Sequence, residues 1–165
     1  MTATGPDLRI VEAKLDDSAH ARDIVAMTAA YARDVMGDGK PLPSDVLERL
    51  VPALRAHPTT LIFLAYVGDE AVGIATCFLG LSTFSARPLL NVHDLAVAPQ
   101  HRGRGVGRAL LEAVEAGARA RGCVKVTLEV GEQNARARQV YEAAGFAQAL
   151  AGVEAGAALF FAKTL

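Results

Sequence analysis

The sequence predicts a mixed α/β fold: a central sheet of about seven strands flanked by about four helices, in the order β-α-α-β-β-β-α-β-α-β-β. Three observations predict it. At 165 residues, 52% of them hydrophobic, the chain is the size of one ordinary domain with a sizeable core. Thr60–Val67, the turn Gly68-Asp69-Glu70 and the apolar run 71–81 form an antiparallel hairpin pattern. Farther on, a strand at 89–97, a glycine loop, a helix and a strand at 124–130 form a unit whose helical crossover demands parallel pairing.

Taken in order, residues 8–13 alternate and read as the first strand. Ile24, Met27, Thr28, Tyr31 and Val35 then recur at helical spacing over 18–35, with Asp16, Asp17 or Ser18 available as N-cap. Two glycines and two prolines make 36–43 a loop. Ser44 can cap a second helix, in which Leu47, Leu50, Val51 and Leu54 form a stripe before Pro58. After the hairpin and the 89–97 strand, a helix over about 104–121 is stopped by Gly122. The helix at 134–144 is stopped by Gly145, and short strands at 147–150 and 158–164 close the sheet. No repeat, linker or low-complexity tract interrupts residues 1–165, which read as a single domain.

Charge and cysteine content exclude several classes. A net charge of −1 gives no global attraction to nucleic acid or anionic membrane. Neither a signal-peptide pattern nor an apolar run of membrane-spanning length is present, so the expectation is a cytoplasmic protein. Cys77 and Cys123 lie in apolar runs without metal-ligand spacing and read as reduced core thiols; no metal is expected.

Chemistry concentrates at Pro99-Gln-His-Arg-Gly-Arg-Gly-Val-Gly-Arg108, between a strand and a helix. Glycines admit close backbone approach, and a helix N-terminus presents unpaired N–H groups to an anion. The spacing lacks the last glycine of a dinucleotide fingerprint, where Arg108 stands, and lacks the Gly-Lys-Ser/Thr of a P-loop. It satisfies R/Q-x-x-G-x-G/A through Arg102, Gly105 and Gly107. This stretch resembles the acetyl-CoA-binding motif of the GNAT superfamily of N-acetyltransferases. Residues 134–146 resemble its second motif, N-x-x-A-x-x-x-Y-E-x-x-G-F. The likeness is tight from about Leu89 to Phe146 and looser before it.

The resemblance implies a GNAT-like domain that binds acetyl-CoA as cosubstrate and acetylates an amine acceptor. Backbone groups of Arg102, Gly103, Arg104, Gly105, Val106, Gly107 and Arg108 would wrap the pyrophosphate, and Leu95, Ala96 and Val97 would hydrogen-bond the pantetheine arm. Asn134 is a natural N-cap to which the resemblance adds a cofactor contact. Tyr141 lies on a stripe with Ala137, Val140 and Ala144; such a Tyr ordinarily packs in the core, whereas the resemblance aims its hydroxyl at the CoA sulfur as general acid. Glu129, five residues before Asn134, alternates with the apolar set of its strand and resembles the base of ribosomal-protein alanine N-acetyltransferases; pairing with Lys125 is the plainer reading. His93 and Asp94, expected on opposite sheet faces, and a water chain are the other candidates for base.

Acceptor choice would rest on the loops 35–44, 83–88 and 152–157, where Asp34, Asp38 and Asp45 hint at attraction for a cation. The short segment after Phe146 departs from the ribosomal-protein modifiers and tilts the reading toward a small-molecule amine. Two other classes stay open: a non-catalytic acyl-CoA sensor of the same fold, and a nucleic-acid binder using Arg102, Arg104, Arg108, Arg136 and Arg138, disfavoured by the acidic balance. Homodimers are common among GNAT proteins, and no feature here specifies an interface.

Overall fold

The computed structural model describes residues 7–148 and 161–164, and five strands in sequence order form its central sheet. β1 (Leu8–Glu12), β2 (Thr60–Val67), β3 (Glu70–Ser82) and β4 (Arg87–Val97) pair antiparallel, and β5 (Val126–Leu128) joins β4 in parallel. The sheet is therefore mixed, as the crossover requires. Five strands rather than about seven are present among the described residues. Ala147, Gln148 and residues 161–164 are in no strand, and the rest of the two expected closing strands lies outside the described residues. A short apolar run becomes a strand only when a ladder partner takes its backbone groups, and sequence does not display that partner.

Among the described residues four α-helices flank the sheet: α1 (Ser18–Arg33), α2 (Ser44–Ala56), α3 (Val106–Ala120) and α4 (Ala135–Ala143). Asp17 caps α1 by accepting the N–H groups of Ala19 and His20 at 2.8 and 3.1 Å. The helix stops two residues before the expected Val35, because Asp34 is extended and its carboxylate takes the Met36 N–H; Val35 is left 84% exposed. Ser44 is the first residue of α2 rather than its cap: the Pro43 carbonyl accepts from Val46 and Leu47, and no side chain caps the end.

Strand alternation sorts apolar side chains into two cores. Phe63, Ala75, Leu90 and Val92 face α3, where Leu110 and Val114 are fully buried. Ile62, Leu64 and Ile74 face α1 and α2, where Ile24 is fully buried. Burying about ten such side chains on each face, at ~1.5–3 kcal/mol apiece, is the main force opposing chain entropy.

Two irregularities at β4 open the sheet on one side. Thr76 pairs with Asp94 while the next residue, Cys77, pairs with Val92, so His93 is an extra residue in β4. The bulge shifts the alternation: Leu90 and Val92 face α3, and so do Leu95 and Val97 beyond it. His93 and Asp94 are consequently not on opposite faces as expected. His93 packs edge-on against Phe78, which lies on the α1–α2 side, and Asp94 shares the side of Ala96. β5 is also shorter than the expected 124–130. It pairs only with Leu90, Asn91 and Val92, held by the Asn91 amide, which donates to the Thr127 hydroxyl at 3.0 Å. Past Leu128 the strands part, leaving 93–97 of β4 without a neighbour on that edge among the described residues.

Candidate active site

The free edge of β4 leads into a single 3-10 turn, Pro99–His101, and then into the glycine loop. Gly103 and Gly105 have φ of +75° and +84°, a region that side-chain-bearing residues enter at a cost of ~1–2 kcal/mol. Gly105 in this conformation turns the chain directly into α3. The Arg102 N–H is occupied by the Pro99 carbonyl at 3.3 Å, and Ala109 is the first helical residue to bond back, to Gly105. Between them the six N–H groups of residues 103–108 have no partner among the described residues. Six unpaired donors in a glycine loop that enters a helix N-terminus suit an anion.

The arginines of the loop divide by their partners. Arg102 is occupied: its Nε donates to the Val97 carbonyl at 2.9 Å and its Nη2 to the Asp34 carboxylate at 2.5 Å. Arg108 pairs along α3 with Glu112 at 2.9 Å, an exposed contact worth little. Arg104 is exposed, and Arg136 of α4 reaches within 3.9 Å of the place where a Gly103 side chain would begin. Val106 contributes its backbone alone, since its side chain is core.

Behind the loop, α3, β4 and α4 meet at Gly107, where an added Cβ would lie 3.8 Å from both Val97 and Val140. Asn134 caps α4, its side-chain oxygen accepting from Ala137 N at 3.1 Å. The expected stripe is correct: Asn134, Ala137, Val140, Tyr141 and Ala144 are half-buried while their neighbours are exposed. Tyr141 of α4 packs against Phe146 and lies near enough to Tyr31 of α1 for their phenols to interact. Burial, and then Tyr31, push the Tyr141 phenol above its ordinary value. Burial, then Asp94 and Asp34, do the same to Tyr31. Both phenols therefore stay protonated well into the alkaline range.

Asp94 completes the group. Desolvation raises its carboxyl above the usual carboxylate range, with His93 partly offsetting this. Its charge also reaches Cys77, whose buried thiol rises to about 12. A half-buried carboxylate with a raised affinity for protons, near enough to Tyr31 to act on its phenol as Tyr31 acts on Tyr141, can accept a proton where two neutral phenols can donate hydrogen bonds.

The Acetyltransferase (GNAT) family model matches residues 24–146, which include all of these groups. The chain belongs to the GNAT acetyltransferase family. A search of curated proteins finds no match. Among solved structures, this GNAT fold is similar to an aminoglycoside acetyltransferase from an uncultured soil metagenomic sample in complex with sisomicin. That protein is 18% identical, with 96% of each chain covered and a TM-score of 0.76. A ribosomal-protein-alanine N-acetyltransferase from Brucella melitensis biovar Abortus 2308 is 20% identical over 96% of this chain and 98% of its own, at a TM-score of 0.70. AAC(6')-Iy, solved with the bisubstrate analog CoA-S-monomethyl-acetylneamine, is 18% identical over 96% and 99%, at 0.73. At such identities the likeness is one of fold.

Within this GNAT enzyme Val97, Gly107 and the α4 residue Val140 meet at one junction, while of the neighbouring strand residues Leu95 packs toward α3 and Ala96 toward α1 and α2. Glu129 stands apart from the expectation: it lies beyond the end of β5, exposed, rather than on a strand face. Of the acidic residues flanking the 36–43 loop, Asp34 is neutralised by Arg102 and Asp45 by Arg49 at 2.6 Å. The 152–157 loop lies outside the described residues. Among the described residues no cluster of His, Cys, Asp and Glu suits a metal, and no helix is long and apolar enough to cross a membrane. No sequence signal singles out Asn91, and Tyr31 stands out in the sequence only as part of a helical stripe.

Proposed function

We propose that this GNAT enzyme transfers the acetyl group of acetyl-CoA to a primary amine of a small molecule, by direct attack with both substrates bound. The observation that carries the reading is the run of six partnerless N–H groups at 103–108, set beside the free edge of β4. Pyrophosphate fits the first. The amide-bearing pantetheine arm fits the second, pairing with Leu95, Ala96 and Val97 as an added strand would. Arg104 and Arg136 supply the side-chain charge, in place of the engaged Arg102. Asn134 acts mainly by capping α4, the helix whose Val140 reaches Gly107.

Bound acetyl-CoA supplies an activated acyl carbon. The amine nitrogen bonds to that carbon, the carbon–sulfur bond breaks, and sulfur leaves with the electron pair. Two protons must move. One leaves the alkylammonium, whose ordinary pKa of about 10 keeps its lone pair blocked at neutral pH. The other leaves the nitrogen once the new carbon–nitrogen bond has formed. Tyr141, held protonated by burial, donates a proton to the departing sulfur and is restored by this second nitrogen proton, while the first is released through the base to solvent. Asp94, whose desolvation raises its affinity for protons, takes the first proton, with Glu129 the alternative carboxylate. Holding amine and thioester together supplies much of the rate independently of either group.

Tyr141→Phe should lower kcat by ~10–100-fold while leaving acetyl-CoA affinity nearly unchanged. Thiol release is to be followed over a panel spanning an aminoglycoside, simple polyamines and an alanine-ended peptide. Unchanged turnover in Tyr141→Phe refutes the acid. Coenzyme A binding with no thiol release across the panel supports a sensor instead. Turnover of the peptide alone moves the acceptor to proteins. In pH–rate profiles, wild-type activity rises as the base deprotonates; Asp94→Asn flattens that limb, and a flattening in Glu129→Gln instead would assign Glu129.

A further inference from the structure

Asp34 occupies a position that neither catalysis nor acceptor charge explains. It ends α1, and both of its carboxylate oxygens are engaged. Oδ1 accepts the Met36 N–H at 2.9 Å, and Oδ2 accepts from Arg102, the residue immediately before the anion cradle. Its backbone carbonyl takes the N–H groups of Gly37 and Gly39 at 2.9 and 3.2 Å. Lys40 N–H closes onto the Ala32 carbonyl at 3.1 Å, so the 36–40 segment is wound around the end of α1. The Asp34 side chain is 13% exposed, and its carboxyl is held below the usual range first by Arg102 and then by the Met36 N–H.

Arg102 is equally committed. Its guanidinium is shared between Asp34 on the acceptor side and the Val97 carbonyl at the end of β4. It cannot turn toward a phosphate without leaving Asp34 bare. The planar fork instead bridges the end of α1 and the end of β4, 63 residues apart in sequence at Asp34 and Val97. The arrangement is a chain of charge-assisted and backbone hydrogen bonds: the 36–40 loop, Asp34, Arg102, Val97 and the 103–108 cradle.

We propose that Asp34 is a positioning residue which, through Arg102, couples occupancy of the 103–108 cradle to order in the acceptor-side loop 36–40. An anion taken up by the cradle rigidifies the segment that begins at Arg102. A fixed Arg102 holds Asp34, and Asp34 holds the loop amides. Ordering accomplished by the first substrate need not be repeated for the second, so donor binding favours acceptor binding, and reciprocally. This inference rests on the reading of the cradle as the coenzyme A site.

Amide hydrogen exchange with and without coenzyme A tests it. In the wild type, coenzyme A should slow exchange both at 103–108 and, by about tenfold, at Met36, Gly37, Gly39 and Lys40. Asp34→Asn retains an oxygen for the Met36 N–H and loses the ion pair. In that variant protection at 103–108 should persist while the ligand-dependent protection at 36–40 disappears. Arg102→Gln cuts the same link from the other side and should give the same pattern. Loop protection that survives in both variants, or is absent from the wild type, overturns the coupling alone. No protection at 103–108 in the wild type overturns the donor-site reading and the coupling with it.

Discussion

Asp94 carries opposed demands. A half-buried carboxylate is a useful base because desolvation makes it hold protons, and for the same reason its ionised form is a cost to the fold. With its carboxyl raised in the folded state, the native protein binds the proton more readily than the unfolded chain does. Stability attributable to this group is therefore fullest in acid and is lost as pH rises through its raised folded value. At neutral pH Asp94→Asn should raise Tm by about 2–4 °C while reducing activity, and the gain should vanish where the wild-type carboxyl is already protonated. Calorimetry at two pH values measures both. At this scale the sequence was legible for residues whose role follows from their own position. Asn134 precedes a helical stripe and caps it; Gly105 stands where a loop must turn into a helix. Asp34 and Arg102 are 68 residues apart in the chain, and no local pattern announces that each neutralises the other.

The helix α3 shows how tightly an element can be committed to its face. At Gly117 a Cβ would lie 2.7 Å from the Cζ of Phe63 on β2. Gly117→Ala gains ~1 kcal/mol of helix propensity, but the ring must move within a filled core, at a cost of ~1–3 kcal/mol. We expect a net loss of ~1 kcal/mol in urea unfolding with an unchanged m-value. Phe63→Leu in the same chain should recover the propensity gain. The β4 bulge belongs to the same scale, and part of it is visible in the sequence. Apolar core positions run 90, 92 and then 95, 97, a slip of phase at His93 and Asp94 that strict alternation does not allow. An opposite-facing pair at those two residues presumes an unbroken period of two, which the slip denies. The length of β5 had no such signal. Alternation continues through Val130, and the strand ends because β4 parts from it.

Across the whole molecule the sheet is a partition. The core under α3 and the core under α1 and α2 share strands but are built from alternate residues of them, so a cavity made on one side leaves the other intact. Ile24→Val and Val114→Ala remove methyl groups from opposite sides, at ~0.5–1.5 kcal/mol for the first and somewhat more for the second. The double variant should lose the sum to within ~0.3–0.5 kcal/mol, as measured by denaturant melts of all four proteins. A larger deviation would show that the two sides communicate through the strands. The general order of elements was readable because each half presents its own periodicity. The strand count was not, because pairing at the end of the chain is a property of partners.

That partition has a consequence for descent. The side under α3 carries the glycine loop, and the side under α1 and α2 carries the 36–40 segment, Tyr31 and the approach to Asp94. Substitutions that reshape the second side pass their strain to a core the first does not share, with Asp34 and Arg102 forming a bridge between the two. With the glycine loop as the proposed donor site, a lineage can keep that grip while trying new acceptors, one half serving as ballast for experiments in the other.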